Sequence, residues 1–232
     1  MRQTKSLLLR QRLRQNRARG LLLRHCLKTL GSAGEPSRTA TVWATPEAEE
    51  FGRIPVDIIV GVGNPGSRYA STRHNLGFDV VDVLACRYEI SLQRLAAEAI
   101  CGQGKIGSHT VLLVKPQTYM NASGRAVAPL ARKYMGVGDR LVVIHDDIDL
   151  PLGEIKVKRQ GGDAGHLGVR SIIACLGHGE FLRIRMGIGR PVCKANIVDY
   201  VLSAFTPMER QAREEMIAQA VLCVDTLLRS AP

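Results

Sequence analysis

A histidine and a run of carboxylates are the side chains in this sequence best suited to moving a proton. His74 stands in Thr72-Arg73-His74-Asn75, just before a helical pattern that opens near Leu76. A histidine at a loop-to-helix junction is held by the scaffold yet reachable, which suits a general base; a capping or surface histidine is the alternative. Such a base works better beside a carboxylate that fixes its tautomer and stabilises the imidazolium formed when a proton is taken. His145-Asp146-Asp147-Ile148-Asp149 supplies the candidates. They follow the apolar run Leu141–Ile144, at the carboxyl end of a predicted strand, where α/β sheets place their chemistry. Acidic residues there could instead bind Mg²⁺ or form a solvated turn into Pro151. The His–Asp pairing is favoured over a metal because the sequence has no second carboxylate cluster to complete an oxygen cage.

Amides provide the second set of candidates. Gly61-Val62-Gly63-Asn64-Pro65-Gly66 formally matches the dinucleotide-binding G-x-G-x-x-G. The context does not support that reading: Pro65 removes a backbone donor, and no helical apolar face follows over Ser67–Arg73. A strand-end turn remains, in which Asn64 either points an amide into a cleft or serves only the turn conformation. In Lys115-Pro116-Gln117-Thr118-Tyr119-Met120-Asn121-Ala122-Ser123-Gly124, Asn121 could hold a carbonyl or water while Tyr119 and Met120 form an apolar wall; Asn121 or Ser123 could equally be an N-cap. Lys156 and Lys158 share one face of a strand, as do Arg183 and Arg185. With the Gly-rich loop Gly161–His166 between them, these cations could hold phosphates or form a solvated sheet edge. Too few aromatic residues lie nearby to support base stacking.

The elements that must position these groups read as an α/β alternation from Val56 onward. Strands are expected at 57–63, 110–115, 141–146, 154–159 and 182–188. Helices are expected at 76–88, 122–135, 167–176 and 207–229, with Pro129 arguing against a regular second helix. Residues 53–232 form a single domain in this reading. Residues 1–52 differ in kind: the first 34 carry nine Lys/Arg and no acid. This basic extension is a transit-like segment, a disordered tail or a mis-assigned start. Of the net charge of +11, it accounts for +6, leaving a moderate +5 that favours a polyanionic partner only weakly. No apolar run is long enough to span a membrane. Six scattered cysteines without a Cys-x-x-Cys pair read as reduced thiols of an intracellular protein.

The segments Gly63-Asn64-Pro65-Gly66, Tyr69, Thr72–Asn75, Lys115–Asn121, His145–Pro151, Gly161–His166 and Arg185–Pro191 occur in one order between about residues 56 and 229. Together they resemble the bacterial-type peptidyl-tRNA hydrolase family. The resemblance implies an α/β domain with a twisted mixed sheet packed by helices. It also implies a monomeric, metal-free and cofactor-free enzyme that hydrolyses the ester between a peptide and the 3′ ribose of tRNA. Carried over by position, His74 is the general base, Asp146 its supporting carboxylate, and Asn64 helps separate blocked peptidyl-tRNA from free aminoacyl-tRNA. Tyr69, Tyr119, Met120 and Asn121 wall the peptide and terminal adenosine, and Lys158 and Arg185 hold tRNA phosphate. One departure stands out: after Gly165-His166 the family commonly has a substrate-contacting Asn, and this chain has Leu167, so His166 or a backbone group must compensate or turnover is lower. The expected compartment is the cytoplasm, or a mitochondrion or plastid if residues 1–52 are a transit peptide. The alternative is a non-catalytic, splicing-factor-like RNA-binding relative, against which the joint presence of His74, Asp146, Asn64 and Asn121 argues.

Overall fold

In the computed structural model, which describes residues 56–95, 98–191 and 197–230, the apolar runs become a seven-stranded twisted sheet. The extension expected over residues 1–52 lies outside the described residues. Strands β1 (Val56–Gly61), β2 (Gln93–Leu95), β3 (Ala99–Ile106), β4 (His109–Pro116), β5 (Leu141–Asp147), β6 (Ile155–Lys158) and β7 (Leu182–Gly187) take the order β2-β3-β4-β1-β5-β7-β6. The four central strands β4, β1, β5 and β7 run parallel, and the flanking pairs are antiparallel. β1 and β5 read as continuous apolar runs because they are buried along their whole length.

Helices cover both faces. On one face, α2 (Ser123–Tyr134) and α3 (Leu167–Leu176) bury Ala126, Val127, Leu130, Val169 and Ile172 against Ile58, Val60, Leu112, Val114 and Val143. α1 (Leu76–Arg87) packs on β1, β4 and β5 and is backed by α5 (Arg210–Arg229), which also reaches β6 and β7. A short α4 (Ile197–Val201) precedes α5. α1 approaches the sheet backbone to backbone: a Cβ on Gly77 would meet the Ile144 carbonyl oxygen at 2.5 Å and the Val62 nitrogen at 2.6 Å. That close approach brings the turn ahead of α1 to the carboxyl end of β5.

Several expectations are corrected. β2, β3 and α4 are additional elements; β3 escapes a period-2 pattern because Gly102-Gln103-Gly104 breaks it, and Gly104 is glycine for packing, since a Cβ there would come within 2.5 Å of Ile90. α2 runs on through Pro129, its buried stripe offsetting the lost backbone bond. Reduced thiols are found at Cys101, Cys175 and Cys223, whereas Cys86 is disulfide-bonded, because scatter along a sequence does not measure separation in space. Among the described residues, no helix is long and apolar enough to cross a membrane.

Candidate active site

β1 lies between its parallel neighbours β4 and β5, so the loops that follow these three strands gather at the carboxyl ends of the sheet, where α/β folds place their chemistry. Asn64 follows β1, Tyr119 and Met120 follow β4, and Asp146 closes β5. His74 enters on the short 3-10 turn Arg73–Asn75 that opens α1.

His74 Nδ1 lies 2.8 and 3.0 Å from the two carboxylate oxygens of Asp146. A second imidazole meets the same carboxylate, His166 Nε2 at 3.1 Å from Oδ1. The tautomer of His166 follows from its other nitrogen: Nδ1 accepts the Val169 amide at 3.2 Å as the N-cap of α3, so the proton is on Nε2 and is donated to Asp146. With Asp146 ionised, His74 also donates to it, through Nδ1–H, leaving its Nε2 lone pair as a base. Burial opposes charge on both partners. For His74 the charge of Asp146 and the hydrogen bond together outweigh burial, and its pKa is raised above the ordinary 6.5. For Asp146 burial is likewise outweighed, here by His74 and His166, and the carboxyl is held well below the usual carboxylate range.

His145 completes a cluster of three imidazoles, its ring 4.7 Å from that of His166. Burial first, then the neighbouring His166, lowers its pKa to about 3, so it is neutral; its Nδ1 lies 2.6 Å from the Asp146 carbonyl and Nε2 is buried without a partner. The coordinating atoms of His74, Asp146 and His166 all lie within 4.8 Å of one another, close enough to surround a cation. The donor set does not suit one. A metal on His166 Nε2 would move that ring's proton to Nδ1, setting N–H against the Val169 N–H and breaking the helix cap.

Asn64 is held at three atoms. Asn75, next to His74, brackets its backbone: the Asn75 carboxamide accepts from Asn64 N at 2.9 Å and donates to Asn64 O at 3.0 Å. The Asn64 Oδ1 accepts the Met120 amide at 2.8 Å. Its oxygen is thereby occupied, and among the described residues its NH₂ end meets no acceptor. Met120 is buried, while Tyr119 is 63% exposed and stands edge-on to Tyr69 with centroids 6.4 Å apart.

A profile of the peptidyl-tRNA hydrolase family matches residues 58–231. The chain belongs to the peptidyl-tRNA hydrolase family. It is 48% identical over 171 residues to the peptidyl-tRNA hydrolase of Moorella thermoacetica, covering 74% of this chain and 90% of that one. It is 44% identical over 176 residues to that of Geotalea daltonii, covering 76% and 92%. The crystal structure of peptidyl-tRNA hydrolase from Acinetobacter baumannii superposes with a TM-score of 0.72 at 37% identity, covering 77% of this chain and 91% of that one.

The structure thus gathers His74, Asp146 and His166 into one network, links Asn64 to Met120, and sets Tyr69 against Tyr119. Among the described residues, the other positions named by the resemblance join it through no side-chain hydrogen bond. Asn121 is exposed on the 3-10 turn after Tyr119, and Leu167, the first residue of α3, is 47% exposed beside His166. Lys158 is exposed on the edge strand β6. Arg185 Nε is paired with Asp147 Oδ2 at 2.6 Å, and its side chain is 20% exposed. The phosphate-holding reading of Arg183 is corrected. It is buried, its guanidinium stacks on Phe181, and it donates to the carbonyls of Gly161, Gly162 and Gly179, fastening the Gly-rich loop. Sequence reasoning also missed the bracket that Asn75 forms around Asn64; the only signal was its polarity beside His74.

Proposed function

We propose that this chain hydrolyses the ester of peptidyl-tRNA, with His74 as general base and Asp146 as the carboxylate that orients it. The observation that supports the assignment most directly is the 2.8 Å contact from His74 Nδ1 to a buried carboxylate at the carboxyl end of β5. His74 Nε2 takes a proton from water as the water oxygen bonds to the ester carbonyl carbon. The oxyanion that develops is met by the free Asn64 NH₂ donor. When the carbon–oxygen bond to the ribose breaks, the imidazolium returns its proton to the 3′ oxygen. The products are a peptide carboxylic acid and tRNA with a free 3′ hydroxyl. An ester is already activated, so a positioned base contributing roughly 10²–10⁴-fold plus an oxyanion donor is adequate machinery without a nucleophilic serine.

The same proposal has Tyr69, Tyr119, Met120 and Asn121 contact the peptide and terminal adenosine, with Lys158 and Arg185 towards tRNA phosphates. The enzyme is taken to act as a metal-free monomer in the cytoplasm; the tautomer of His166 supports the absence of a metal role.

The test is release of the blocked amino acid from N-acetyl-aminoacyl-tRNA by the purified full chain, run beside unblocked aminoacyl-tRNA and the His74→Ala variant. Cleavage of only the blocked substrate, abolished in the variant with tRNA binding retained, is the expected result. Binding of tRNA with no ester cleaved would make the chain an RNA-binding relative. Equal loss of binding and turnover in His74→Ala would remove it from the base role.

A further inference from the structure

The turn that carries His74 is fastened to a part of the chain that the chemistry itself does not use. Arg73 is buried, and its guanidinium lies between the rings of Tyr200 and Phe205, 4.5 and 4.7 Å from their centroids. One terminal nitrogen donates to both carboxylate oxygens of Glu209 at 3.0 and 2.8 Å, and the other donates to the Ala204 carbonyl at 3.1 Å. Backbone contacts run alongside: Arg73 N donates to Ser203 O at 3.0 Å, and Thr72 forms an antiparallel bridge with Ala204. Glu209 is fixed in its turn by the Thr206 amide at 2.8 Å, and Tyr200 donates to the Ile188 carbonyl just beyond β7.

A desolvated cation held between two aromatic faces and a carboxylate is rigid, and removing one partner leaves the other charge buried without compensation. The turn it anchors is only three residues long and has little rigidity of its own. His74 therefore sits between two residues fixed by different parts of the chain, Arg73 by residues 200–209 and Asn75 by Asn64.

We propose that Arg73 is a positioning residue for His74, and that Ile197–Glu209 forms a strap whose grip on Arg73 sets how the imidazole meets Asp146. The inference rests on His74 being the base. A displacement of about 1 Å at a reacting group is enough to cost up to 10²-fold in rate, so a loosened strap acts on turnover before it acts on binding.

Glu209→Gln is the informative variant. It removes the charge while keeping an acceptor for Thr206 and for Arg73, and because the side chain is 21% exposed the cost is smaller than for a fully buried pair. Arg73→Lys serves as the second variant, because it keeps the charge but loses the fork and the flat stacking surface. In the full chain, kcat on N-acetyl-aminoacyl-tRNA should fall by about tenfold with KM unchanged. The acid limb of kcat/KM should move to lower pH. The groups facing His74 are Asp146 from β5 and His166 at the head of α3, and a looser approach to Asp146 relaxes the interaction that raises the imidazole pKa. The low-field proton resonance of the His74 Nδ1–H bond should broaden or shift upfield. The double variant should lose no more than the larger single loss. A lowered melting temperature with kcat, acid limb and resonance unchanged would make the latch purely structural and overturn the proposal; so would a raised KM at unchanged kcat. His74→Ala is run in parallel: if that variant keeps full turnover, the base assignment fails first. If it is inactive while Glu209→Gln keeps kcat and the acid limb, only the strap fails.

Discussion

Asp57 and Asp146 are buried near opposite ends of adjacent parallel strands, and each lies within reach of a histidine. Asp57, at the start of β1, receives Arg140 through Nε at 3.1 Å, through a terminal nitrogen at 3.2 Å and through the Arg140 amide at 2.9 Å. The same guanidinium caps the last turn of α5 through the carbonyls of Leu227, Leu228 and Ser230, and His109 stands 3.4 Å away. Among the described residues no guanidinium reaches Asp146, whose carboxylate faces imidazoles. A guanidinium does not give up its proton in water, so the Arg140 that fills the Asp57 oxygens serves the fold, whereas the imidazoles hydrogen-bonded to Asp146 exchange protons near neutrality. A buried carboxylate becomes chemically useful where imidazoles, and not a guanidinium, take its oxygens.

The strongest way to break this contrast is Asp146→Asn. The amide presents the wrong hydrogen-bonding pattern to His74 Nδ1 and cannot stabilise the imidazolium. We expect kcat to fall by roughly 10³–10⁴-fold with tRNA affinity nearly unchanged, read in single-turnover hydrolysis. Asp57→Asn should do the reverse. Leaving the half-buried Arg140 without its charge partner lowers stability, by less than the roughly 3–5 kcal/mol of a fully buried pair, seen as a lower melting temperature, while kcat per folded molecule stays the same. A fall in kcat at a permissive temperature would show that the two ends of the sheet are coupled.

The distinction was partly legible in the sequence. His74 and the acidic run stood out because both follow or precede clear apolar patterns, and the parallel strands are apolar enough to announce themselves. Asp57 gave no signal, since its partners are 52 and 83 positions away, His109 and Arg140, and nothing local distinguishes it from an exposed strand residue. Arg183 misled for a related reason: alternation tells which residues share a face but not whether that face is covered, and the Gly-rich loop folds over this one. His166 was read only as substrate-binding; its place on Asp146 depends on α3 starting at Leu167 and on the Val169 amide fixing its tautomer, neither of which spacing reveals.

The pH response sharpens the comparison further. Because His74 is raised above 6.5 in the folded state, kcat/KM should fall as pH drops through a value higher than that. The folded state holds that proton more tightly than the unfolded one, so His74 contributes stability that is fully present below about 6.5 and is lost as pH rises through its folded pKa. Activity and this part of stability therefore run in opposite directions over one window. Melting curves and rate profiles collected together across neutral pH should show it, with Asp57→Asn leaving the acid limb in place and Asp146→Asn moving it down.

The smallest expected effect carries the same reasoning over to the cations. Arg183 is buried and occupied by carbonyls, whereas Arg185 engages Asp147 through Nε. Lys158, opposite Arg183 in the register of β6 and β7, is exposed and free to meet a phosphate. Lys158→Ala should weaken tRNA binding a few-fold and lower the slope of log affinity against log salt by about one. Arg183→Ala should leave that slope alone and instead loosen the Gly161–Gly162 loop, visible as faster amide exchange there. A salt slope unchanged by Lys158→Ala but reduced by Arg183→Ala would reverse the assignment, and would mean that the loop opens on binding to release the buried guanidinium to the RNA.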